Sequence, residues 1–305
     1  MAASIAKINE QVGAAAIIAP AVCYEAGRPE TCEVNASLFA AARQAGERLG
    51  LPVYGTVILG NSATGSWDTV AAVLDEATAL SADGWYFGFE FMQERIPHGL
   101  EATLRCCMGG LKLACTGQPV LHAFAGPMCL LSFCFGATGS AIGHSQNLWQ
   151  FSRTRWQQSE RSGGGGNAPA RFFSSKLWGT IVYPDEIARL DVTTANLVLT
   201  KTEFTRQLTA RPPFPALSRW ESNKHLVAIL CDTAAAISKA DRALSACAAV
   251  DKILGESVAI HGRIEAQGVE LTDNTSSYQE SWRQSLLRLQ EERRQDYKVL
   301  GLQGL

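Results

Sequence analysis

PVLHAFAGPMCLLSFCFGATGSAIG, residues 119–143, packs a whole structural unit into 25 positions. The apolar run 120–125, set between Pro119 and Gly126, reads as a strand buried on both faces. Residues 128–135 follow with helical spacing. A Gly-Ala-Thr-Gly turn then leads to a short second strand at 140–142 that stops at Gly143. Strand, helix and strand in immediate succession imply parallel pairing, because a helical crossover carries the chain back to the end of the sheet where it started.

The same rhythm extends towards the N-terminus. Strand-like runs at 14–21, 53–59 and 85–90 alternate with helix candidates at 36–49, 67–80 and 98–115. Strands apolar on both faces and joined by helices predict a parallel sheet, either open and doubly wound or closed into a barrel. No GxGxxG follows the first strand, which removes the usual signature of the dinucleotide-binding open sheet. The stretch 119–143 resembles the end of phosphate-binding (β/α) barrels of the TIM-barrel superfamily, where a strand, a short helix, a G-A-x-G turn and a final strand ending in Gly follow closely. The resemblance implies a barrel architecture with an anion held near that turn. A complete barrel takes eight strands in about 250 residues, and only five runs are legible before residue 150. The expected fold is therefore α/β: a partial or irregular TIM-like (β/α) barrel over residues 1–150. A flexible basic linker over 151–176 follows it, then a mainly helical region over 177–305, with helices at 223–254 and 278–300.

With 47% hydrophobic residues in 305, the chain can bury one large core or two smaller ones. Charged residues make up 18%, the formal net charge is −2 and the isoelectric point is about 6.2. No global field draws such a chain onto nucleic acid or an anionic membrane, so any such contact must be local. No apolar run reaches the roughly 20 residues of a membrane span, and the first residues lack the basic start and apolar stretch of a signal peptide. The cytoplasm is the expected address. The nine cysteines form no CxxC pair and lie mostly among apolar residues, so they read as reduced core residues. HExxH, a Cys/His cluster and an EF-hand loop are all missing, and neither a metal nor a cofactor is indicated. Flavin barrels, which also end in a G-A-x-G strand and loop, keep flavin as a third reading.

Barrel active sites gather at the C-terminal ends of the strands. In WYFGFE, residues 85–90, alternation puts Trp85, Phe87 and Phe89 on one face and Tyr86, Gly88 and Glu90 on the other. If the aromatic face packs under the helices, Glu90 points inward at the rim as a candidate general base, nucleophile or ligand to a hydroxyl or amine. Its plainer role is to cap the next helix or pair with Arg95. Glu25, just past the first run, is a candidate second rim carboxylate, and two such groups suit glycosyl or proton-transfer chemistry; a solvated loop position is the alternative. His122, within the strand 120–125, could bond substrate or shuttle a proton, or be satisfied by backbone in the core.

Gly139, Ser140, Gly143, His144 and Ser145 form the candidate anion site, where turn N–H groups and the start of a following helix would face phosphate. The same glycines could serve only tight packing. Arg153, Arg155, Trp156 and Arg171 lie in a stretch with a single acid, Glu160, and combine charge with aromatic surface as a nucleic-acid contact does. A loop over the barrel mouth or a partner-docking loop has the same composition. The layout and basic loop are similar to the tRNA-guanine transglycosylase group, in which a carboxylate displaces a base from a ribose, although that group's zinc-binding cysteines have no match here. The resulting expectation is an enzyme acting on a phosphorylated or nucleotide-like ligand, with glycosyl or base transfer at a rim carboxylate. The alternative is a non-catalytic barrel-derived scaffold or subunit that binds nucleic acid or a protein partner.

Overall fold

The computed structural model describes residues 1–91, 96–97, 99–143, 145, 148–155, 170–238, 243–272 and 276–303. A first helix, α1 (Ala2–Val12), is followed by β1 (Ile17–Ile18), α2 (Glu30–Leu49), β2 (Val53–Leu59), α3 (Trp67–Thr78), β3 (Gly84–Phe89), α4 (Leu100–Ala114), β4 (Val120–His122), α5 (Cys129–Cys134) and β5 (Gly139–Ser140). The five strands are all parallel and stand in the sheet in the order of the chain. Right-handed crossovers between sequential parallel strands leave every connecting helix on one side, and such a sheet curls away from them. The result is a parallel half-barrel. The described residues do not close it into a full barrel.

Alternation along β2 and β3 decides which residues meet the helices. Val53, Val57 and Leu59, with Trp85, Phe87 and Phe89, lie in the main core with Phe39 and Ala42 of α2, Val70 and Leu74 of α3 and Leu104 and Leu111 of α4. Ser66 starts α3 by accepting the Thr69 N–H, which fixes where the β2 loop becomes helix. The helix α4 buries most of its circumference, from Thr103 to Ala114, and a helix apolar all round must be covered on both sides. The sheet covers one side.

The second half of the chain covers the other. It supplies β6 (Arg171–Ser174), β7 (Gly179–Val182), α6 (Val192–Val198), α7 (Arg219–Ile237), α8 (Ala243–Glu265), α9 (Ser277–Glu292) and α10 (Arg294–Gln303). Trp282 and Ser285 of α9 donate to the carbonyls of Pro97 and Leu100 at 3.0 and 3.1 Å, and α8 packs on α5. Leu230, Val250, Leu254, Trp282 and Leu286 therefore belong to the same core as the sheet, which crosses the expected boundary at residue 150. A second core gathers Phe172, Ile181, Ile187, Val198 and Leu208 around Ile260 and Ile264 at the far end of α8.

Several expectations need correction. The single helix read at 223–254 is two, α7 and α8, and the one at 278–300 is α9 and α10. Continuous Ala-rich or charged helical composition does not by itself mark a break. The pair β6 and β7 is antiparallel and starts inside the stretch read as linker. Phe172 and Phe173, which follow Arg171 in that stretch, are buried in the two cores. All nine cysteines are free thiols and six are buried. Among the described residues no helix is long and apolar enough to cross a membrane.

Candidate functional site

Three polypeptide segments meet at the C-terminal end of the sheet. Tyr24 forms a parallel bridge to Leu59, and Glu90 donates its N–H to the Leu59 carbonyl at 2.8 Å from the other side. The residues after β1 and β3 thus flank the end of β2, and the side chains of Glu25 and Glu90 converge above it. Gly60 makes this possible. A Cβ there would lie 2.5–2.7 Å from the Glu25 carboxylate, so only glycine leaves the carboxylate its place.

The third segment brings the cation. Phe151 bridges to Glu90, Phe91 donates to the Phe151 carbonyl at 3.2 Å, and the Gln150 amide donates to the Phe91 carbonyl. A single 3₁₀ turn, Arg153–Arg155, follows. The Arg153 Nε lies 3.0 and 3.1 Å from Glu90 Oε1 and Oε2, its Nη2 is 2.5 Å from Glu90 Oε2, and its backbone N–H donates to Oε1 at 2.9 Å. The same Nη2 reaches Glu25 Oε1 at 2.5 Å. The other oxygen of Glu25 accepts from the Ser62 hydroxyl, which itself accepts the Ala26 N–H at 3.1 Å. The Asn61 N–H completes the set on Glu90 at 3.4 Å.

Exposure separates the three charges. The side chain of Glu90 is wholly buried, that of Glu25 is 13% exposed, and that of Arg153 is 47% exposed. Burial alone would raise the Glu90 pKa, but the hydrogen bonds and charge of Arg153, with the Asn61 N–H, outweigh it and hold the carboxyl below its ordinary value. The bond to Glu90 raises the Arg153 pKa further above its usual value. Beside them the Cys23 thiol is pushed up to about 11, chiefly by burial and also by the two carboxylates, with Arg153 acting the other way. Two carboxylates and one guanidinium leave the cluster one negative charge in excess. That charge disfavours a phosphate at this point and favours a ligand rich in N–H or O–H donors.

Below the rim the concave face of the sheet carries Tyr54, Thr56, Tyr86 and Leu121, all half-buried. Ile58, Ala123 and Cys23 make a small buried patch nearer the rim, against which Tyr86, Phe124 and Phe151 pack. The Phe124 and Phe151 rings lie 5.3 Å apart.

The structure brings Glu25 and Glu90 together and leaves His122 out. His122 lies on the helix-covered face, 2% exposed, with Nδ1 2.7 Å from Ser132 Oγ and rings of Phe87 and Phe135 beside it. Burial lowers its pKa to about 4. Ser140, in register with His122, turns to the same side, and its buried hydroxyl has no hydrogen-bond partner. Gly139 pairs with Leu121, and Gly143, at φ 65°, has the Leu148 side chain where its Cβ would be. Ser145 accepts the Leu148 N–H at 2.9 Å. The next α-helix in the chain is α6, so no α-helix start follows this turn directly among the described residues. His144 and Trp156 lie outside the described residues, as does the side chain of Arg155. Arg171 sits on β6, remote in sequence from the rim, while Arg153, read as a nucleic-acid contact, is held by two carboxylates.

Sequence reasoning missed the pairing of Arg153 with Glu90, which are 63 positions apart. It also missed Gly60 and Ser62, whose only signal was a polar loop after a strand. Compared with known proteins, the chain matches no family model, no curated protein and no solved structure.

Proposed function

We propose that the protein is a barrel-derived enzyme that binds a nucleotide-like ligand at the C-terminal rim of its half-barrel and acts on it by glycosyl or base transfer. The observation that carries this reading is the convergence of Glu25 and Glu90 on one guanidinium. A guanidinium presents a planar row of N–H donors, and so does the amide-and-amine edge of a guanine-type base. In this reading Arg153 keeps the carboxylates apart from each other's charge until a ligand takes its place. Its half-exposed side chain has room to swing into solvent.

The two carboxylates then divide the work. Glu90, with a depressed pKa and donors on both oxygens, is an acceptor that binds and orients rather than a general base. Glu25 spends one oxygen on Ser62 and one on Arg153, and once Arg153 leaves it is the group free to attack the anomeric carbon, forming a glycosyl ester as the glycosidic bond breaks and the base departs with its electron pair, or to take a proton. The turn at 139–143 has no part in this reading.

Calorimetric titration with guanine and guanosine monophosphate, against adenosine monophosphate as control, tests it. Guanine-type ligands should bind, Glu90→Gln should weaken them at least tenfold, and Arg153→Ala should tighten them by removing the resident competitor. Absence of binding to both wild type and Arg153→Ala would sink the proposal.

One observation favours the scaffold reading instead. Every oxygen of Glu90 is engaged and its side chain is wholly sealed, as in a latch that fastens the 150–153 strap to the sheet. Under that reading Glu90→Gln lowers the melting temperature and leaves every binding assay with nucleic acid or ligand unchanged.

A further inference from the structure

On the helix-covered side of the sheet a cleft of about 270 Å³ lies between α3, α4 and α9, lined by Trp67, Leu104, Arg105, Met108, Arg288 and Arg293 together with Glu101 and Glu292. The charges in it are unevenly matched. Glu101 stands one turn before Arg105 on α4, the spacing at which the two would ordinarily pair. Arg288 of α9 takes Glu101 instead, through Nη1, and holds Glu292 through Nη2 at 3.0 Å. Both acids of the cleft are thereby spent on one arginine.

Among the described residues Arg105 is left with one bond, from Nη1 to the Gly65 carbonyl at 3.1 Å. Its Nε is buried and has no hydrogen-bond partner. A buried charged donor left unmatched is costly, and native structures keep few of them. The Nε–Nη2 edge of a guanidinium is the edge that grips an oxyanion with two parallel bonds. Across the cleft Arg293 lies 4.2 Å over the Trp67 ring, and its nearest carboxylate, Asp296, is 3.9 Å away. Three arginines and two glutamates line this cleft, and Arg293 has Asp296 beyond its edge as counter-charge, which leaves Arg105 as the arginine with no carboxylate among the described residues. The adjoining hollow of about 400 Å³, which shares Trp67 and Arg293, balances Lys112 and Arg293 against Asp75 and Asp296.

We infer that this cleft is a binding site for an oxyanion carried on an apolar or aromatic body, with the Arg105 guanidinium turning its unmatched donors onto the anion and Trp67, Leu104 and Met108 receiving the body. Phosphate esters and carboxylic acids share the chemistry. The site is independent of Glu25 and Glu90, which lie at the rim of the concave face, and stands or falls without them.

The test titrates phenyl phosphate, benzoate and inorganic phosphate into wild type, Arg105→Lys and Arg105→Met, reading affinity by calorimetry and the melting temperature in parallel. The expected result is saturable binding of phenyl phosphate or benzoate to wild type, tighter than inorganic phosphate because only they fill the apolar wall. Arg105→Lys should bind at least tenfold more weakly, since it keeps the charge and loses the fork. Arg105→Met, which removes the unmatched donor, should melt no lower than wild type without ligand and should gain nothing from it. Whichever anion binds more tightly identifies the class. Equal affinity in all three proteins, or no saturation of wild type below about 10 mM, overturns the inference.

Discussion

The two faces of one sheet treat their polar residues in opposite ways. On the helix-covered face His122 is sealed among Phe87, Phe135 and Cys106, has a hydroxyl for a partner and carries no charge. On the neighbouring strand's end, on the concave side, Glu90 is equally buried yet stays ionised, because the Arg153 guanidinium and the backbone N–H groups of Arg153 and Asn61 come to it from two other segments. An ordered sheet can bury a titratable group by neutralising it or by supplying its counter-charge, and this protein does each on one face. Only the second arrangement leaves a charged cluster within reach of solvent, through the half-exposed Arg153.

The difference can be broken most forcefully on the covered face. Phe87→Ala should cost about 4 kcal/mol in urea unfolding, since the ring is wholly buried against Gly109 and Leu74. Tyr54→Ala, on the open face, should cost about 1 kcal/mol or less if that face is as unconfined as its exposure indicates. Equal losses would mean that the concave face is covered in solution.

Acid titration separates the two buried groups. The folded state holds His122 neutral down to about pH 4, whereas an unfolded histidine takes its proton near pH 6.5. Its contribution is therefore complete above pH 6.5 and is lost as pH falls from there to about 4, on the order of 3 kcal/mol. His122→Gln should remove most of that slope, with a remainder from His225, whose pKa burial also lowers. Glu90 behaves differently: its depressed pKa gives stability that is complete above the ordinary carboxylate range and disappears only as pH falls through the depressed value. Denaturation curves for wild type and His122→Gln from pH 7 to 3 distinguish the two windows.

A smaller loss should follow Arg153→Ala, about 2 kcal/mol at neutral pH, because it strands a buried carboxylate. The half-exposure of Arg153 keeps the loss below that of a fully buried pair. Glu90→Gln should cost less than Arg153→Ala, since Arg153 keeps Glu25. The reverse order would show that the cluster's stability resides in the Glu90 hydrogen bonds and not in its charge.

The gentlest change is Gly60→Ala. Its methyl would displace only the end of the Glu25 side chain, so stability should move by under about 1 kcal/mol while binding at the rim falls. Unchanged rim binding would remove Glu25 from the site.

Local patterning carried most of the half-barrel. The run 53–59 coincides with β2, and the alternation in 85–90 separates a face that enters the core from one that does not, because a strand's side-chain period is fixed by the backbone. Alternation with helices then dictates parallel strands, and the sequential order of those strands in the sheet puts the helices on one side. The short strands were harder to bound: β1 and β5 are two residues each, too brief for a period to show. The hairpin β6–β7 was hidden for a related reason, since its four-residue strands are stabilised by α7 and the second core rather than by their own pattern.

What the sequence by itself determined is thus the parallel sheet and the presence of carboxylates after two of its strands. Only the tertiary structure decided that those carboxylates share Arg153, that His122 turns away from them, and that Arg105 loses the acid beside it to Arg288. Periodicity is a local property of the backbone. Which charge meets which depends on contacts between residues tens or hundreds of positions apart, and no local pattern encodes them.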